Sequence, residues 1–125
     1  MTALAPSVRV LVIGAGAMGS GIAHVAARAG HTVYLFDQQA TAVAKGKAGI
    51  EKDLRFLVSK GKLTEADCTA TLTRIVPVTE LGDARDAGLA IEAIVENLAV
   101  KQGLFAELEA LLPPDAILAS NTSSL

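Results

Sequence analysis

Aromatic side chains are nearly absent from this sequence. Phe, Tyr and Trp together make up 3% of the 125 residues, with no tryptophan, while 51% of the residues are hydrophobic. A core must therefore be built from Ala, Val, Leu and Ile, a mixture that suits a sheet covered on both faces by helices. Cysteine is almost as scarce. Cys68 is the only one, so no internal disulfide can form, and a reducing compartment is expected. With no Cys-x-x-Cys pair or Cys/His cluster near it, Cys68 reads as a packing residue inside a helix, and no metal site is expected. Neither sign of charge dominates: 11 basic residues against 13 acidic ones leave a formal net charge of −2. The signs are interspersed and no basic stripe forms, which argues against a nucleic-acid partner.

A long uninterrupted hydrophobic run is also missing. Residues 10–27 carry no charge and follow Arg9, as a leader or membrane span would, but Gly14, Gly16, Gly19 and Gly21 interrupt them and His24 is polar. The apolar part, VRVLVI, is too short to cross a bilayer, and no A-x-A cleavage pattern follows at the expected place. The expectation is a soluble, cytoplasmic protein with no membrane partner. At this length it is one domain at most.

What is present alternates strand with helix. Residues 8–14 (VRVLVIG) and 31–37 (HTVYLFD) read as buried strands, separated by a helix over 17–29 that Gly30 stops. From Ala40 to about Lys60, Val43, Ile50, Leu54 and Leu57 recur on one face of a long amphipathic helix. KGK (60–62) is a turn, and TEAD (64–67) has the form that starts a second helix, running to about Thr73. Residues 74–79 form a short strand in which Pro77 demands an edge or bulged position. A helical turn is expected over 83–87 and a buried strand over 88–95. A helix from 97 or 98 to 112 is stopped by Pro113 and Pro114, and a fifth strand covers 116–120. Alternation of this kind implies right-handed crossovers and a parallel sheet.

The chemistry is concentrated in GAGAMG (14–19), which follows the first strand and opens the first helix. The pattern G-x-G-x-x-G is weak alone, but here a second strand ends in an acidic residue, Asp37, completing the context of a dinucleotide site. Gly14 permits the tight turn, Gly16 the approach of a pyrophosphate, and Gly19 close helix–strand packing. The helix N-terminus offers N–H groups and the positive dipole end to that anion. A carboxylate at Asp37 accepts from ribose hydroxyls and repels a 2′-phosphate, and the first basic residue after it is Lys45. The cofactor reading is NAD.

Glu96 ends the predicted fourth strand on the same edge, with Lys101 one helical turn further on. From spacing alone the two are either site residues or an ordinary surface charge pair. His24, inside the first helix, and His31, at the opposite edge of the sheet, read as structural. Hydride transfer from an alcohol needs a general base, and none is visible.

The stretches VIGAGAMGSGIA, AGHTVYLFD, KGKLT, AIVENLAVKQGLF and ASNTSSL together resemble the amino-terminal domain of L-3-hydroxyacyl-CoA dehydrogenases, from about residue 8 to the end. That family includes the 3-hydroxybutyryl-CoA and 3-hydroxyadipyl-CoA enzymes of β-oxidation and aromatic-acid degradation. The resemblance implies a Rossmann-type α/β fold, doubly wound and mostly parallel, with an inserted helical hairpin over about 40–73. It also implies roles for single residues. The backbone of Gly14, Ala15, Gly16, Ala17, Met18 and Gly19 would hold the pyrophosphate, and Asp37 the adenosine ribose. Glu96 and Lys101 match residues lining the nicotinamide-side pocket. Ser123 matches the residue that contacts both cofactor and the substrate's 3-oxygen, a catalytic role, and Lys60 matches a coenzyme A contact. Asp53 stands where the family can have a small polar contact residue. The apolar face of the hairpin would meet coenzyme A and a further domain, leaving part of it to water in this chain.

In the family, the next segment bears the histidine that acts as general base and the glutamate that orients it. A helical domain for substrate binding and dimerisation follows. Neither is within these 125 residues. The expectation is the truncated NAD-binding half, residues 1–125, of a homodimeric enzyme acting on a 3-hydroxyacyl-CoA. A stand-alone NAD(H)-binding or redox-sensing module is the alternative. The NTSS run and the hairpin argue against a β-hydroxyacid dehydrogenase of the 6-phosphogluconate type.

Overall fold

Four consecutive aliphatic residues, Val10–Ile13, form the central strand β1, and their alternation sends side chains into two separate cores. The computed structural model describes residues 5–94 and 98–120. Along them follow α1 (Ala17–Arg28), β2 (Val33–Phe36), α2 (Ala40–Ser59), α3 (Glu65–Arg74), β3 (Ile75–Pro77), a 3₁₀ turn (Leu81–Ala84), β4 (Leu89–Glu92), α4 (Leu98–Leu111) and β5 (Ile117–Ser120). The five strands pair in parallel in the order β3-β2-β1-β4-β5. The chain winds outward from β1 to β3, then returns to the other side of β1, so a crevice opens where β1 meets β4. This is the doubly wound sheet expected from the sequence.

Val10 and Val12 point to the side packed with α1, α2 and α3, where Ala23, Ala27, Ile50, Leu54 and Cys68 complete a buried cluster. Leu11 and Ile13 point to the other side, against Ala84, Ala90 and Leu108. Cys68 thus has the packing role expected of it. Pro77 lies in β3, an edge strand, where a missing N–H costs no ladder bond. The Thr64 side chain accepts from the Asp67 amide at 3.0 Å and caps α3, as TEAD predicts.

Three expectations are corrected. The helical turn falls at Leu81–Ala84, starting two residues and ending three residues earlier than predicted. The strand predicted over 88–95 ends at Glu92: the Ala93 amide makes the last ladder bond, to the Ile13 carbonyl, and the Ile94 amide turns back to the Glu92 side chain. The apolar stripe of the hairpin is not held out for a partner: Val43, Ile50 and Leu54 are buried in the core of the sheet's own face. Periodicity identifies which residues share a face, and the helix closes that face onto the nearest apolar surface.

At the amino edge of the sheet, Arg9 Nη1 donates to both the Tyr34 hydroxyl (2.8 Å) and Asp86 Oδ2 (2.7 Å), while the Tyr34 hydroxyl donates to Asp86 Oδ1 (2.8 Å). His31 Nδ1 lies 2.7 Å from the Val8 carbonyl, which can only accept, so Nδ1 carries the proton. Among the described residues no helix is long and apolar enough to cross a membrane.

Candidate cofactor site

The turn after β1 is shaped by glycine at two points. Gly14 has φ +107, and a Cβ there would stand 2.7 Å from the Ala93 carbonyl oxygen. A Cβ on Gly19 would overlap the Gly14 carbonyl oxygen, so helix α1 approaches β1 as closely as backbone allows. Gly16 is different: nothing lies within 4 Å of the position its Cβ would take. That open cradle is what a pyrophosphate needs to reach the backbone. Gly16 also caps α1 with no side chain, and no acidic residue occupies the first turn, so the positive end of the helix dipole is not neutralised locally.

These glycines open onto a cleft of about 1060 Å³ at the carboxyl edge of the sheet, lined by Gly14, Gly16, Asp37, Gln38 and Gln39 on one side. Thr79, Glu80, Leu81, Ile94, Val100 and Leu104 are among the residues of its other walls. Asp37 Oδ2 accepts from the Ala15 amide at 2.9 Å, and Oδ1 accepts from the Gln39 amide at 2.9 Å. The carboxylate is thereby oriented at the end of β2. Among the described residues, the charged ones lining the cleft are Asp37, Glu80 and Glu107, with no Lys, Arg or His. A 2′-phosphate would meet carboxylates there and no cation. The groups present fit NAD.

Not every predicted site residue reaches this cleft. Ala15 is buried beneath the turn, and Ala17 and Met18 face a separate apolar groove of about 550 Å³ beside Ile22 and Val25. Lys60 is exposed at the end of α2, with its ammonium 5.5 Å from the Phe56 ring centroid, and Phe56 is 58% exposed. Asp53 is exposed on the same helix and lies close enough to His24 to oppose the lowering of its pKa. That lowering comes first from burial and then from Arg28. Neither histidine lines the cleft. Glu96 and Ser123 lie outside the described residues.

Lys101 corrects the surface-pair alternative. It is fully buried, and Nζ stands 3.2 Å from Oε1 of an equally buried Glu92, not of a surface partner. Glu92 also accepts from the Ile94 amide (2.6 Å, Oε2) and from the Ser120 hydroxyl (2.7 Å, Oε1). Sequence reasoning passed over Glu92. The signal was present: one carboxylate inside GLAIEAIV, a run expected to be buried on both faces, requires a partner.

A parallel sheet wound in both directions from β1, a glycine turn at the point of reversal and an acidic residue ending the second strand define a dinucleotide-binding domain. More narrowly, the chain belongs to the family described as the 3-hydroxyacyl-CoA dehydrogenase NAD-binding domain, whose pattern matches residues 9–125. Its cofactor is NAD. The chain is 47% identical over 116 residues to the 3-hydroxyadipyl-CoA dehydrogenase of Escherichia coli, covering 93% of this chain and 24% of that protein. It is 51% identical over 114 residues to a probable 3-hydroxybutyryl-CoA dehydrogenase of Deinococcus radiodurans, covering 91% of this chain and 41% of the relative. The crystal structure of an Escherichia coli 3-hydroxybutyryl-CoA dehydrogenase superposes with a TM-score of 0.92 at 46% identity, over 95% of this chain and 25% of that one. The chain thus spans between 24% and 41% of the length of these two curated relatives.

Proposed function

We propose that residues 1–125 form the NAD-binding domain of an enzyme that oxidises (3S)-3-hydroxyacyl-CoA to 3-oxoacyl-CoA, in fatty-acid β-oxidation or aromatic-acid degradation. The observation that carries this reading is the cleft uniting Gly14, Gly16 and Asp37, with no cation among the described residues that line it. NAD, when bound, supplies the hydride acceptor. The chain's own residues bind and orient: Gly16 leaves room for the pyrophosphate, and Asp37 faces the adenosine ribose while tying down the Ala15 amide.

The family resemblance and relatives named for hydroxyacyl-CoA substrates support the remaining roles. Glu96 and Lys101 belong to the nicotinamide side, Ser123 to the substrate's 3-oxygen, and Lys60 to coenzyme A. A serine hydroxyl cannot take the substrate's proton at neutral pH, and His24 and His31 do not line the cleft. The family resemblance assigns the base to chain beyond residue 125, as it does substrate enclosure and homodimer formation. The working compartment assigned is the cytoplasm, with no nucleic-acid or membrane partner.

The test is a fluorescence titration of the 125-residue chain with NADH and with NADPH; the chain has no tryptophan to compete for excitation. Tighter binding of NADH is expected. Equal affinity for the two would remove Asp37 from its role and the reading with it.

A further inference from the structure

Glu92 occupies a position that stability alone does not explain. It is the last residue of β4, in register with Ile13 of β1 and Ser120 of β5, and it is fully buried. A carboxylate and an ammonium buried together gain little over apolar side chains of the same volume, because desolvation offsets their attraction. Here the carboxylate does something an apolar residue could not. It accepts from three separate parts of the fold: the turn at Ile94, helix α4 through Lys101, and the end of β5 through Ser120. Two of those parts build the cleft. Ala93 and Ile94 line it from the turn, and Val100 and Leu104 line it from α4 on either side of Lys101. The third, Ser120, immediately precedes Asn121-Thr122-Ser123-Ser124 in the sequence.

The placement relative to the cofactor follows from strand order. Asp37 directly follows β2 on one side of β1, and Glu92 and Ser120 end β4 and β5 on the other. A dinucleotide laid across the β1/β4 crevice with its adenosine at Asp37 puts its second nucleoside over β4 and β5. We infer that Glu92 is a positioning residue for the nicotinamide half of the site: its carboxylate pins the turn at Ile94, helix α4 and the end of β5 to one point. This rests on the NAD reading above and extends it to a residue that touches no ligand.

The experiment compares NADH with ADP-ribose, which lacks the nicotinamide, on the 125-residue chain and two variants. Glu92→Gln keeps the shape and removes the charge. Ser120→Ala removes one tether and leaves the Glu92–Lys101 pair intact, so it reports even if the first variant fails to fold. Both variants are expected to weaken NADH, by about tenfold for Glu92→Gln and less for Ser120→Ala, as the loss of one charged hydrogen-bonded contact would. ADP-ribose affinity should be unchanged, and the Ile94 amide resonance should shift in both variants. Undiminished NADH affinity in Ser120→Ala, or parallel loss of both ligands, overturns the positioning role while the unsubstituted chain still binds NADH. An unsubstituted chain with no affinity for NADH overturns the cofactor reading and the positioning role together.

Discussion

The Ala15 amide donates to Asp37 Oδ2 at 2.9 Å, a bond between residues 22 positions apart. One carboxylate thus holds the glycine turn in place while it faces the position assigned to the adenosine ribose. The two halves of the proposed adenosine diphosphate site would then share an anchor.

Replacing Asp37 with Ala is accordingly expected to do two things at once. NADH binding should weaken by roughly 1–3 kcal/mol, the range for a charged hydrogen bond, and the preference over NADPH should shrink. The Ala15 amide, losing its acceptor, should exchange faster with solvent even with no ligand added. Affinity ratios from titration and hydrogen exchange at Ala15 check the two effects separately. A preference that survives the substitution would assign discrimination to another residue.

Gly46, buried in α2, is a point of close contact between the hairpin and the glycine turn. A Cβ there would stand 2.5 Å from Ser20 Oγ and 3.0 Å from the Ala15 carbonyl oxygen, and Ser20 Oγ itself donates to that carbonyl at 3.0 Å. Gly46→Ala should destabilise the chain by about 1–3 kcal/mol, the usual cost of overpacking, despite the better helix propensity of alanine. It should also weaken NADH. Adding Ser20→Ala makes room and should recover part of both losses. Thermal unfolding and titration of the double variant test this; additive losses would rule out the shared contact.

Tyr34 offers a pH-dependent prediction free of overlap, since it is the only tyrosine. Its phenol is raised above the ordinary 10.0, chiefly by burial, with Arg9 opposing and Asp86 adding to the rise. Folding therefore favours the protonated phenol. That contribution is complete below the unfolded value near pH 10 and is lost as pH rises through the folded one. Near-ultraviolet absorbance should show late ionisation in the native chain. Asp86→Asn should bring it earlier, and no change in that variant would deny Asp86 a part in the clasp.

With acetoacetyl-CoA and NADH, the 125 residues alone are expected to show binding without turnover. Loss of a positioned general base removes about 10²- to 10⁴-fold in rate, and loss of substrate orientation removes more. Steady NADH oxidation that disappears in Ser123→Ala would demand a base within these residues.

The glycine turn, Asp37 and the order of elements were legible because each depends on residues adjacent in the chain. A strand is recognised by its own side chains, and the turn at Gly14 by its own backbone. The charge partners were not legible. Spacing points from Lys101 to Glu96, because nearness in sequence is the only distance a sequence contains, and it does not point to Glu92, at the end of the neighbouring strand, whose carboxylate lies 3.2 Å from Lys101 Nζ. The two helices of the hairpin were legible, but what their apolar face packs against was not, for a related reason. Spacing placed Val43, Ile50 and Leu54 on one face but could not say that the face closes on Leu35 and Cys68.

Composition and spacing therefore determined the aliphatic core, the alternation of strand and helix, and the cradle at Gly16, all governed by local sterics and short periods. Tertiary structure decided what meets at the carboxyl edge. Parallel register sets Ile13, Glu92 and Ser120 side by side, and only that register brings a hydroxyl 28 positions away to within 2.7 Å of Glu92. A buried charge takes whatever donor the packing of strands and helices delivers to it, because leaving it unpaired away from water costs more than any local preference can offset.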